Sequence, residues 1–146
     1  MATILTEVYE TFLAKVSDYS FLNITEEELE EDMFGYLKTA RTKFYKCKSD
    51  LSIIDDIATG ERAFKDDLHP FEIEVLATLM TVEYLKPQIL ASEVLKQSLS
   101  DKDFKIYSQA NQLSQLNLTY KMFRGEAKKL ITEYTYLDLL KKDDKQ

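Results

Sequence analysis

Between Ser100 and Tyr136 the chain runs without proline, and its apolar residues recur at Phe104, Tyr107, Leu113, Leu116, Tyr120, Phe123, Ala127, Leu130, Ile131 and Tyr134. Steps of mostly three and four residues put them on one side of a helix. Ser100 or Asp101 can cap its start, and Asp103 falls in the first turn, where the helix dipole favours an anion. A helix of about 35 residues is roughly 50 Å long. That exceeds what the core of one small domain can cover, so part of it is expected to project or meet a partner.

The rest of the chain reads as shorter helices. Thr3–Ser17 carries Ile4, Leu5, Val8, Phe12, Leu13 and Val16 on one face, the pattern of an amphipathic helix. The link Asp18–Ile24 holds Tyr19, Phe21, Leu22 and Ile24, which predicts that it packs down. Thr25-Glu26-Glu27-Glu28 spells a capping box, in which the hydroxyl and the carboxylate three residues on satisfy free N–H groups. The second helix is predicted from there to about Lys46, with Leu29, Met33, Tyr36, Leu37, Ala40 and Phe44 as its buried stripe. Its acidic start and basic end (Lys38, Arg41, Lys43, Lys46) both match the dipole. Gly35 sits mid-helix, where glycine costs about 1 kcal/mol against alanine; a close approach of another helix is expected there.

Periodicity breaks over Ser49–Leu68, which predicts a long loop holding at most one short helical turn or extended piece. Pro70 suits the first position of a third helix, with Glu72 and Glu74 in its first turns and apolar residues over a wide arc from Phe71 to Leu85. Lys86-Pro87 predicts an end or a kink, after which Gln88–Leu99 is helical again. Three glycines and two prolines argue against an all-β design. The expected fold is all-α: a bundle of four to five helices with one long loop and a long C-terminal helix. Residues 1–135 are expected to form the domain, and 136–146 an arm ending in the polar tail Lys141–Gln146.

The net charge is −7. Residues 1–120 carry −9 and residues 121–146 carry +2, so the sign changes within the long helix. An acidic body does not suit tight wrapping of nucleic acid, because phosphate binding needs cations. One cysteine, Cys47, excludes a disulfide within the chain, and with one histidine it excludes a zinc site built from Cys and His. Lys46 and Lys48 flank Cys47 and would lower its thiol pKa, although a half-buried inert thiol is the plainer reading. The residues Met1–Glu7 lack the basic and apolar regions of a signal peptide, and no run reaches 18 apolar residues. Function in the cytosol, or in a particle assembled there, is expected.

The nearest thing to a catalytic motif is Glu26-Glu27-x-x-Glu30, extended by Glu31 and Asp32. It fits the Glu-Glu-x-x-Glu pattern of all-α, Mg²⁺-dependent nucleoside-triphosphate pyrophosphohydrolases. That chemistry needs further carboxylates on a facing helix at Glu-x-x-Asp spacing, and Glu72, Glu74, Glu83 and Glu93 lack the partner. A solvated acidic helix start is the default. His69 precedes Pro70 with no nucleophile in view, which points to helix entry rather than acid–base work. No Glu-x-x-His pair supports a di-iron site. No catalytic residue, metal or cofactor is therefore expected. Tyr134–Leu140 sets exposed-looking leucines near a chain end, which suits docking to a partner; Tyr136, Leu137, Leu139 and Leu140 would be the anchors, with Lys141 and Lys142 beside them. Gln109, Asn111, Gln112 and Gln115, polar but uncharged, suit a contact between subunits, or else a plain solvent face.

Leu95-Lys96-Gln97-Ser98-Leu99-Ser100-Asp101-Lys102-Asp103-Phe104, followed by Tyr107-Ser108-Gln109-Ala110-Asn111, resembles the head–tail connector (neck adaptor) proteins of tailed bacteriophages. The acidic helix Glu26–Phe44 and the segment Glu72–Pro87 extend the likeness. It implies a non-enzymatic structural protein located in the virion neck and assembled in the bacterial cytoplasm. It also implies a ring of about a dozen identical subunits under the portal protein, joined to the next neck or tail protein, through which DNA passes without specific binding and without any membrane. On that reading Tyr136–Lys142 grips the portal, and Glu26, Glu27, Glu30 and Glu31 face the channel. Another phage neck or tail-assembly component is the near alternative.

Overall fold

Eight consecutive residues, Val75–Val82, are buried on every side of one helix, the mark of a helix at the centre of its domain. In the computed structural model, which describes residues 3–16, 25–55, 60–98 and 105–144 (the side chains of 91–113 and 138–144 excepted), this helix is the hub. The order is α1 (Leu5–Lys15), α2 (Glu26–Lys43), β1 (Ile53–Asp55), β2 (Arg62–Phe64), α3 (Pro70–Ser98) and α4 (Lys105–Asp144). The fold is all-α, with one small antiparallel hairpin, and α1, α2 and α4 each pack on α3.

Burying α3 all round takes two threonines out of water. Thr78 and Thr81 donate to the carbonyls of Glu74 (2.8 Å) and Ala77 (2.9 Å), so neither hydroxyl is left unpaired. Around them Leu5, Val8, Phe12, Met33, Leu37, Phe44, Leu76 and Met80 form one core. Phe12, Tyr36 and Tyr84 bring α1, α2 and α3 together in a triangle of rings with centroids 5.9–6.0 Å apart, in the tilted and edge-on arrangements that ring quadrupoles favour.

The hydroxyl half of the expected capping box is formed at α2: Thr25 Oγ1 accepts from the Glu28 N–H at 3.1 Å. Met33, Leu37, Ala40 and Phe44 of the predicted stripe are buried. The helix closes at Lys43, and the Phe44 N–H still reaches the Ala40 carbonyl.

Four expectations are corrected. The segment Ser49–Leu68 is not only loop. It holds the β1–β2 hairpin, in register Ile53↔Phe64, Ile54↔Ala63 and Asp55↔Arg62, with Ala63 and Phe64 in the core. Gly60 before β2 has φ +73°, a conformation glycine adopts without strain. Thr3 adds a short third edge: the Phe64 N–H donates to its carbonyl (2.8 Å), and Ile4 bridges Ala63. Of the end or kink expected at Lys86-Pro87, the end does not form, and α3 runs through Pro87 to Ser98. Its ring sits on the exposed side of the helix, and apolar residues on both sides of it pack on the rest of the fold, Leu85 in the core and Ile89 beside Tyr120. Gly35 makes no close approach; a Cβ built there meets nothing within 4 Å. Finally, the long helix, read as ending at about Tyr136, continues to Asp144.

The hairpin of α3 and α4 is antiparallel. Tyr134 lies beside Phe71 and Glu72 at the start of α3, and Tyr120 lies with Lys86 and Ile89 one third of the way from its far end. Beyond Tyr134 the helix α4 overshoots the start of α3 by about ten residues, roughly 15 Å.

Candidate functional site

Three features of the surface and core bear on function. The first is a polar knot where α3 begins. His69 caps the helix through Nδ1, which accepts from the Phe71 N–H at 3.1 Å, and Glu72 Oε1 reaches back to the His69 N–H at 2.8 Å. This is the reciprocal logic of a capping box with histidine in the cap position, and it agrees with the expected helix-entry role of His69. Glu72 does much more. Its side chain is buried, the residue being 3 % exposed. Oε1 also accepts from Ser49 Oγ (2.8 Å), and Oε2 accepts from Tyr134 OH (2.7 Å) and Cys47 Sγ (3.1 Å). Tyr134 in turn accepts from the Lys48 N–H at 2.9 Å.

Burial alone would push the Glu72 carboxyl up. The hydrogen bonds from Tyr134, the His69 N–H, Cys47 and Ser49 outweigh it and hold the group below its usual range. The neighbours move the other way. Burial, then the Glu72 carboxylate, pushes the Cys47 thiol up to about 12. Burial likewise raises the Tyr134 phenol. The plainer reading of Cys47 holds: the thiol is half-buried and faces a carboxylate, and the alternative of activation by Lys46 and Lys48 does not. A carboxylate offers about four acceptor positions, and here four donors fill them. Glu72 has no capacity left to take a proton from a substrate, so the knot is a structural tie joining the α2–β1 link, α3 and α4.

The second feature is the acidic start of α2. Glu26, Glu27, Glu30 and Glu31 are all exposed, and none has an ion-pair partner among the described residues. No group of three or more His, Cys, Asp or Glu side chains stands together to hold a metal ion among the described residues.

The third was not foreseen from the sequence. A groove of about 300 Å³ opens between α3 and α4 near the end of α2. Leu79, Val82, Ala127 and Ile131 floor it, and Lys43, Lys86, Arg124 and Lys128 ring it. Glu83 pairs with both Lys43 and Lys86 (2.9 Å to the latter), so the ring carries a net charge of about +3. Arg124 and Lys128 are exposed and have no ion-pair partner among the described residues. Three separate segments supply these cations, which is why no local motif announced them.

Of the expected docking residues, Tyr136 is 67 % exposed and Leu137 is exposed as well. Leu139, Leu140, Lys141 and Lys142 lie on the helical backbone of α4, with side chains outside the described residues. The side chains of Gln109, Asn111 and Gln112 also lie outside them, and Gln115 is exposed. Leu118 (65 % exposed), Met122 and Leu90 add apolar surface along the same hairpin. Among the described residues no helix is long and apolar enough to cross a membrane. No protein-family model, curated protein or solved structure matches the chain.

Proposed function

We propose that the protein is a structural subunit of the head–tail connector of a tailed bacteriophage or prophage, one of about a dozen identical copies in a ring between the portal and the next neck or tail protein. The reading rests on the resemblance of Leu95–Asn111 to that family. The observation that supports it geometrically is the overshoot of α4. A helix that leaves its own domain with Tyr136 and Leu137 exposed presents an apolar end to another protein. The acidic body, with a chain charge of −7, lets DNA pass without adhering. Among the described residues the one buried carboxylate, Glu72, is saturated with structural hydrogen bonds.

Truncation after Thr135 tests this. It keeps Tyr134 and its bond to Glu72, so the domain should remain helical by circular dichroism. The truncated protein should no longer co-sediment with portal-bearing heads, whereas the full chain should. Co-sedimentation of the truncated chain at the full level would remove the α4 end as the anchor. Failure of the full chain to bind heads would overturn the connector reading.

A further inference from the structure

The acidic start and the basic groove stand at opposite ends of one rigid element. Glu26, Glu27, Glu30 and Glu31 occupy the first turns of α2, and Lys43, at its last residue, forms one wall of the groove. Sixteen helical steps separate Glu27 from Lys43, about 25 Å, some three Debye lengths at physiological salt. Within one subunit the two patches cannot neutralise each other. Both are exposed, and their carboxylates and the Arg124 and Lys128 cations lack ion-pair partners among the described residues. In a chain of net charge −7, a groove of about +3 is a local reversal of sign.

We infer that the groove between α3 and α4 receives the acidic first turns of α2 from a second copy of this chain, through the juxtaposition of Lys43, Lys86, Arg124 and Lys128 with Glu27, Glu30 and Glu31. The occupant follows from charge complementarity: the strongest cluster of unpaired carboxylates on the described surface is on the same protein. The two patches differ, so the contact can repeat head to tail, which generates a closed ring or an open filament; made reciprocally between two copies it would close a two-fold dimer instead. This deepens the connector reading and rests on it for the biological setting only. It assigns Glu26, Glu27, Glu30 and Glu31 to the subunit boundary rather than to the channel wall.

The test is self-association of the full-length protein, measured by sedimentation velocity at low and high salt. Wild type should form oligomers at low salt that dissociate as salt rises. Arg124→Glu with Lys128→Glu, and separately Glu27→Lys with Glu30→Lys and Glu31→Lys, should each weaken association by about a hundredfold. All five residues are exposed, and circular dichroism should show both variants folded. Mixed in equal amounts, the two variants should associate again, because the acidic start of the first meets the intact groove of the second and the two reversed patches attract each other. Self-association unchanged in either variant, or a wild type monomeric at millimolar concentration and low salt, overturns the inference. So does saturable binding of duplex DNA lost with Arg124→Glu, which would make the groove a track for phosphates. The pairing result stands apart from the head-binding result. Association as described without head binding upholds this contact and overturns the connector, and head binding with association unaltered by the charge changes does the reverse.

Discussion

The Tyr134 hydroxyl donates to the buried Glu72 carboxylate at 2.7 Å across 62 residues of chain. It is the polar tie between the far half of α4 and the start of α3. The Tyr134 ring supports it, edge-on to Phe44 at 5.1 Å and stacked on Phe71 at 6.2 Å.

Tyr134→Phe keeps the ring and removes the hydroxyl. The Glu72 carboxylate and the Lys48 N–H then each lose a partner. A hydrogen bond to a charged group contributes about 1.5–3 kcal/mol. The melting temperature should fall by about 4–8 °C, measured by circular dichroism. A fall of under a degree would show that water replaces the hydroxyl.

Acid should loosen the same knot. Glu72 has its carboxyl held below the ordinary value of 4.5 in the folded state, so folding favours the ionised form. Its contribution is complete above the unfolded value and is lost as pH falls through the folded one. Glu83 behaves alike: burial raises its pKa, but its bonds with Lys43 and Lys86 prevail and lower it. Stability measured by urea denaturation should therefore drop as pH is lowered below about 4.5. Glu72→Gln should be less stable than wild type at pH 7 and lose less between pH 7 and pH 3. Parallel pH curves for the two proteins would contradict the assignment.

Cys47 should be a slow thiol. With its pKa pushed up to about 12 by burial and Glu72, little thiolate exists at pH 8. Reaction with a disulfide reagent should be at least about a hundredfold slower in the native protein than in urea. Equal rates would mean that the thiol is open to solvent.

Gly35 and Gly125 lie inside helices with nothing within 4 Å of a Cβ built at either position. Gly35→Ala and Gly125→Ala should each stabilise the protein by about 0.5–1 kcal/mol, read as higher urea midpoints. Destabilisation of the assembled form alone, with the free subunit improved, would place that glycine in a contact between copies.

Much of the fold was legible because it is written locally. Thr25 and Glu28 are three residues apart, and the stripe Met33, Leu37, Ala40 follows the helical repeat, so α2 could be read from 20 residues. Pro70 marked the start of α3 for the same reason. What was hidden depends on distant partners. A half-buried, inert Cys47 was the plainer reading, but the neighbour that fixes it, Glu72, is 25 residues away. The groove draws its cations from α2, α3 and α4. Pro87 left open an end or a kink because the local rule considers only the backbone, whereas packing on both sides of it carries the helix through.

The central position of α3 also has a consequence in time. Thr3 is held by groups at Phe64, Asp66, Asp67 and Leu68, and α1 and α2 bury their faces against a helix that begins only at Pro70. On a ribosome adding roughly 5–20 residues per second, the apolar faces of the first two helices wait several seconds for the surface that covers them. Tyr134 docks later still, because α4 follows α3 in the chain. Until α3 has emerged, Val8, Phe12, Met33 and Leu37 stay uncovered on the nascent chain, and over that interval chaperones can reach them.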